Sequence, residues 1–137
     1  MRVMSLSIKT IAPNQVIKNR SIFKNVLEKD MSSLHIYAIS YFLCDDYQIE
    51  LKPTKYHGIH RTLFLREFGG QSPDKTLVPF ETEKQMIAQF QADLRRYDPD
   101  VLVCHDASRT LDALVQRMMT LGGRQDRPRL GRLVHYY

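Results

Sequence analysis

Apolar and polar residues alternate loosely from Val3 to Ile11, a stretch rich in Val, Ile, Leu and Ser, and the pattern predicts a strand that ends before Pro13. Residues 14–33 are more polar. Within them Ile22, Phe23, Val26 and Leu27 fall at helical spacing behind Ser21, which predicts a short serine-capped helix. Residues 34–43, LHIYAISYFL, are dense in β-branched and aromatic side chains and read as a buried strand, with Asp45-Asp46 turning the chain. A third strand fits residues 60–68, stopped by Gly69-Gly70, and the run to Pro79 reads as loop.

The plainest helix follows. Thr82 with Gln85 three residues on is a capping-box signature, and Met86, Ile87, Phe90, Leu94 and Tyr97 form one apolar stripe. Asp98-Pro99 stops it, because the residue before proline avoids the helical region. Val101-Leu-Val-Cys104 is short and continuously apolar, as in a strand buried on both faces of a parallel sheet. Ser108 is placed to cap a second helix, with Leu111, Leu114, Val115 and Met118 inward and Gly122-Gly123 at its end. Three strands, a helix, a strand and a helix make a mixed α/β sheet with helices packed on it.

A chain of 137 residues has room for one domain. Its composition, 43% hydrophobic and 26% charged, argues against collagen, a disordered tail or a disulfide scaffold. No window is apolar enough for a membrane-spanning helix, and the opening MRVMSLSIKT lacks the apolar core of a signal peptide. Cys44 and Cys104 make neither a zinc pattern nor a disulfide framework, which points to a reducing, intracellular setting. The balance of 20 Lys+Arg against 15 Asp+Glu gives +5 and favours polyanionic partners. The basic end is local: Arg117, Arg124, Arg127, Arg129 and Arg132 face the single carboxylate of Asp126.

Open α/β sheets place their sites at the carboxyl ends of parallel strands. Here that end reads Val103-Cys104-His105-Asp106. His105 and Asp106 are candidate site residues, although a turn aspartate beside a packed histidine is the commoner use of such a pair. Cys104 reads as a core thiol, and Asp98 with Asp100 as turn chemistry around a proline.

Four segments, in order, carry a resemblance. Val3-Met-Ser-Leu-Ser-Ile-Lys-Thr10 resembles the first exonuclease-motif strand of the catalytic subunits of eukaryotic DNA polymerase alpha, where Ser-x-Lys-Thr stands in place of the Asp-x-Glu of proofreading polymerases. Tyr97-Asp-Pro-Asp-Val-Leu-Val-Cys-His105 resembles that family's Asp-Pro-Asp-φ-φ-Val-Gly-His-Asn, φ being apolar. Leu111-Asp-Ala-Leu-Val-Gln-Arg-Met118 is similar to its Leu-Leu-Gln-Arg helix, and Leu130-Gly-Arg-Leu133 to its Gly-Arg-Leu. The sequence departs from the pattern at Cys104 for glycine, at Asp106 for asparagine, in a segment one residue short before Leu111, and in an apparent insertion at 14–33.

The resemblance implies a ribonuclease H-like, 3′-5′ exonuclease-like domain over residues 1–137, a mixed sheet flanked by helices that stops before the third exonuclease motif. That stop, and a start within the first motif, favour a piece of a longer chain. The Tyr-x-x-x-Asp at Tyr41 to Asp45 precedes the second motif and is read as chance. The resemblance makes Ser7, Lys9, Asp106 and Thr110 the vestigial exonuclease positions. Cutting relatives hold two divalent metals with Asp and Glu, and such cations need oxygen ligands. An ammonium at Lys9 would repel a metal by on the order of several kcal/mol at ~4 Å. Asp112 points to another face of the helix and does not replace the lost carboxylate.

The expected chain is therefore an inactive exonuclease-like domain, with no cofactor of its own and magnesium only in the parent's polymerase domain. By the same resemblance it works in the nucleus, with the rest of the catalytic subunit, primase, an accessory subunit and primer-template as partners. Arg124, Arg127, Arg129 and Arg132 are candidate phosphate contacts, or alternatively a solvated loop against other domains. Lys9 either pairs with Asp106 or extends to solvent. The alternative identity is a free-standing basic α/β module that binds nucleic acid or protein.

Overall fold

The computed structural model describes residues 1–11, 34–48, 58–69, 74–122 and 130–131. Five strands and two helices follow in the order β1 (Val3–Ile11), β2 (His35–Cys44), β3 (Gly58–Leu65), β4 (Leu77–Phe80), α1 (Glu83–Tyr97), β5 (Val101–Cys104) and α2 (Ala107–Gly122). The strands form one sheet in the order β4-β3-β2-β1-β5. β1 runs antiparallel to β2 and parallel to β5, β2 antiparallel to β3, and β3 parallel to β4.

Alternation along β1 divides the sheet's two faces. Met4 and Leu6 are buried while Ser5, Ser7 and Lys9 are exposed. The buried face joins both helices in one core: Leu6, Ile39, Tyr41, Leu43 and Leu63 meet Met86, Phe90 and Leu94 of α1 and Leu114 and Met118 of α2. A fully buried Leu, Ile, Met or Phe contributes about 1.5–3 kcal/mol, so these positions carry most of the driving force. The β1–β2 register shifts between Lys9 and Thr10, which face Ala38 and Ile36, so Tyr37 is the extra residue of a β-bulge.

The first two strands and both helices lie where the pattern predicts them. Thr82 accepts a hydrogen bond from the Gln85 backbone N–H at 3.2 Å, as a cap should. Several boundaries differ. β3 ends at Leu65, and Arg66–Phe68 wind into a one-turn 3-10 helix that sets Phe68 against Tyr37, ring centroids 5.0 Å apart. Leu77–Phe80 is a strand and not loop; Pro79 is compatible with it because β4 is an edge strand.

β5 is not buried on both faces. Among the described residues it lies at the other edge, with Val101 and Val103 39% and 49% exposed, while Leu102 and Cys104 pack toward the core. A short apolar run does not by itself separate these two cases. α2 begins at Ala107, ahead of Ser108, so that serine lies within the helix. α1 stops at Asp98 as expected, but through a left-handed residue (φ 43°, ψ 61°) whose N–H donates to the Leu94 carbonyl at 2.9 Å. The helix expected behind Ser21, and the insertion at 14–33, lie outside the described residues.

Candidate functional site

The last rung of the β1–β5 ladder pairs Leu6 with Cys104. Ser7 and Lys9 continue β1 past that rung, and His105 and Asp106 leave β5 at the same end. Ser7, Lys9 and Asp106, three of the four positions that the resemblance singles out, thus lie toward the same end of the β1–β5 pair, the end where sites usually form in such a sheet. Ser7 and Lys9 are exposed there, on the face away from the helices.

Asp106 is exposed and left-handed, φ 51°, which takes the chain out of the strand and into α2. Its carbonyl accepts the Thr110 N–H at 3.0 Å. Thr110 Oγ1 donates to the His105 carbonyl at 3.1 Å, so the threonine hydroxyl is engaged in holding the helix entry. Asp and Asn are the non-glycine residues most at home at positive φ. Aspartate here and asparagine in the resembled pattern therefore suit the turn equally. Among the described residues Lys9 forms no ion pair, with Asp106 or with any other carboxylate.

The side chains at the four positions Ser7, Lys9, Asp106 and Thr110 are two hydroxyls, one ammonium and one carboxylate. Divalent cations of the magnesium type take carboxylate-rich oxygen sets, and this set does not fit a pair of them.

Beside the corner, the open face carries a polar ladder. Ser7 faces Ser40, which faces Thr62. Ser40 Oγ lies 3.0 Å from Thr62 Oγ1 and 3.3 Å from His60 Nε2. Asp74 accepts from the Thr76 N–H at 2.9 Å and the Thr76 hydroxyl at 2.8 Å. These bonds hold the Asp74 carboxyl below the ordinary range, and the charge of His60 adds to the effect.

Two buried charge clusters belong to the scaffold, and the hydropathy pattern does not pick them out. Asp93, within the α1 stripe, is 2% exposed and accepts from Tyr41 Oη at 2.6 Å, Arg61 Nη1 at 3.0 Å and Gln89 Nε2 at 2.9 Å. Glu83 accepts from Arg117 Nε at 2.7 Å, Arg117 Nη2 at 2.8 Å and the Ile36 N–H at 2.9 Å. Arg117 therefore does not join a basic surface; it is 6% exposed and ties α2 to α1. The available signal was spacing: Asp93 lies three residues from Phe90, and Arg117 three from Leu114, both on core-facing stripes.

Asp98 and Asp100 act as turn residues. The Arg2 N–H donates to Asp100 Oδ2 at 2.7 Å, and the Arg2 carbonyl accepts from the Asp100 N–H at 2.9 Å. Arg2 Nη1 also donates to the Tyr97 carbonyl at 3.1 Å, at the carboxyl end of α1. Tyr41 is core and Asp45 forms an exposed ion pair with Arg2 at 3.5 Å, so the Tyr41–Asp45 spacing does not build a site. Phe42 is only half-buried, on the open face opposite Ser5. Arg124, Arg127, Arg129 and Arg132 lie outside the described residues.

A mixed sheet with two helices on one face and a site at the carboxyl ends of β1 and β5 is the ribonuclease H-like architecture of 3′-5′ exonucleases. The family model for DNA polymerase family B, exonuclease domain, matches residues 1–136, and the chain belongs to that family. No curated protein matches the sequence closely enough to count as a relative.

Proposed function

We propose that the chain is a catalytically inactive exonuclease-like domain of a DNA polymerase alpha catalytic subunit, working in nuclear DNA replication. One observation carries the reading. The pattern Ser7-x-Lys9 lies on the open face of β1, at the corner where a cutting relative needs carboxylates. With Thr110 engaged on the His105 carbonyl, Asp106 is the one acid at the four positions. A lone carboxylate beside an ammonium is poorly suited to hold two divalent metals.

In this reading the domain has a framing role, helping to define the template path for the rest of the subunit. Family membership supports an association with polymerase domains and DNA. The parent would extend RNA primers supplied by primase, with an accessory subunit, and would use magnesium in its polymerase domain. Arg124, Arg127, Arg129 and Arg132 would add phosphate contacts that weaken with salt.

The test is a nuclease assay. The chain is expected to leave an end-labelled single strand at full length in magnesium and in manganese. Metal-dependent shortening would overturn the inactive reading. An antibody against this segment is expected to detect a polypeptide far larger than the chain itself. A band at the chain's own size would favour a free-standing basic module.

A further inference from the structure

Three rows of side chains cross β1, β2 and β3 on the open face: Ser5, Phe42 and His60; Ser7, Ser40 and Thr62; Lys9, Ala38 and Phe64. None is a carboxylate. Lys9 is their one permanent charge. It is exposed, faces the small Ala38 at the edge of the bulge, and forms no ion pair among the described residues. The middle row supplies hydroxyls, two of them 3.0 Å apart and each able to donate or accept. The Asp74 carboxylate, which bears on His60, is engaged by Thr76.

We propose that this face holds a phosphodiester of a single-stranded polynucleotide without a metal ion, through the Lys9 ammonium and the neighbouring Ser7 and Ser40 hydroxyls. The inference rests on the reading that the domain frames a nucleic-acid path, and it names where the strand is gripped. A cutting site attracts a phosphate through its cations. Here the cation is part of the chain. An ammonium is a compact charge with three donors, suited to one phosphate, and a charge-assisted bond to phosphate oxygen is about twice as strong as a neutral one. Two residues along a strand span roughly 6.8 Å, so Ser7 and Lys9 reach the same nucleotide. The grip is independent of base identity, as expected of phosphate contacts.

The experiment titrates the full chain against a fluorescein-labelled oligothymidylate by anisotropy, in EDTA, over a range of salt. Binding is expected in EDTA. Lys9→Gln is expected to lower the slope of log K against log salt by about 0.7, the share of one phosphate contact on a single strand. Lys9→Glu is expected to weaken binding further, with melting temperatures unchanged in both variants. Binding with an unchanged slope in Lys9→Gln would overturn the lysine grip and leave the framing role intact. Binding that disappears in EDTA would overturn the metal-free grip. No binding by the unaltered chain at low salt would overturn both the grip and the framing role.

Discussion

Arg117 of α2 and Glu83 in the first turn of α1 meet in a two-pronged ion pair, Nε to Oε1 at 2.7 Å and Nη2 to Oε2 at 2.8 Å, with side chains 7% and 9% exposed. Because Glu83 Oε1 also accepts the Ile36 N–H, the pair joins both helices to the start of β2. Removing one partner leaves an uncompensated buried charge. Arg117→Met is expected to destabilise the fold by about 3–5 kcal/mol in urea unfolding. Adding Glu83→Gln should recover a large part of that loss, because glutamine keeps an acceptor for Ile36 and no longer buries a charge. Equal stability of the single variant and the unaltered chain would show that the pair contributes nothing.

Tyr41 gives the fold a weakness at high pH. Burial, and then the hydrogen bond to Asp93, push its phenol well above the ordinary tyrosine value. Below pH ~10 the folded and unfolded chains both keep this proton, and its contribution is level. Above that, the unfolded phenol loses its proton while the folded one retains it, so stability falls as pH rises. Tyr41→Phe is expected to cost about 1.5–3 kcal/mol at neutral pH through the lost bond to a charged acceptor. It should also flatten the decline in urea midpoint between pH 9 and 11. A decline of equal steepness in the variant would place the sensitivity elsewhere.

How much of this could be read from the sequence depends on what each signal measures. Loose alternation located β1 and helical spacing located both helices, because each buries one face against a single core and one-sided burial leaves a period; β2 was legible from its density of β-branched and aromatic residues. β4 was missed because four residues with an internal proline satisfy loop and edge-strand chemistry equally. β5 was placed correctly but read as buried on both faces, since Val101 and Val103 are as apolar as any buried pair. The positions Ser7, Lys9, Asp106 and Thr110 came from resemblance, and the topology brings the first three toward one end of the β1–β5 pair. Asp93 and Arg117 escaped because a charge on an apolar stripe shows its burial only when its partners, distant in sequence, are known.

The left-handed turn at Asp106 is a local constraint with its own signature. A non-glycine residue at φ 51° is strained unless it is Asn or Asp. Asp106→Gly and Asp106→Asn are expected to melt close to the unaltered chain. Asp106→Val, with a β-branched side chain in that conformation, should cost about 1–2 kcal/mol. A valine variant with unaltered melting temperature would mean that the turn relaxes freely.

Gly58 opens β3 beneath Phe42. A Cβ at this position would meet the Leu43 carbonyl oxygen and the Phe42 ring. The oxygen belongs to the strand itself and does not swing aside. Gly58→Ala is therefore expected to loosen the first rung between β2 and β3, Cys44 with Gly58, at a cost of about 1–3 kcal/mol. Faster amide exchange at that end of β3, with the far end near Leu63 unaffected, is the pattern to look for; uniform exchange along the strand would argue against a local clash.

Lys9 tests whether the altered corner contributes to the fold at all. A buried lysine paired with Asp106 would be costly to remove, because the acid would be left without compensation. The structure has Lys9 exposed on the open face, with no ion pair among the described residues, and Asp106 exposed beyond the end of β5. Exposed substitutions away from caps, turns and ion pairs change stability by about 0.5 kcal/mol or less. Lys9→Ala is accordingly expected to melt within about 2 °C of the unaltered chain, and Lys9→Thr, a better strand former, at the same temperature or slightly above. A loss of several degrees in Lys9→Ala, reversed by Asp106→Asn in the same chain, would show that the two charges pair in solution. The ammonium would then be neutralised within the fold and no longer free to meet a phosphate.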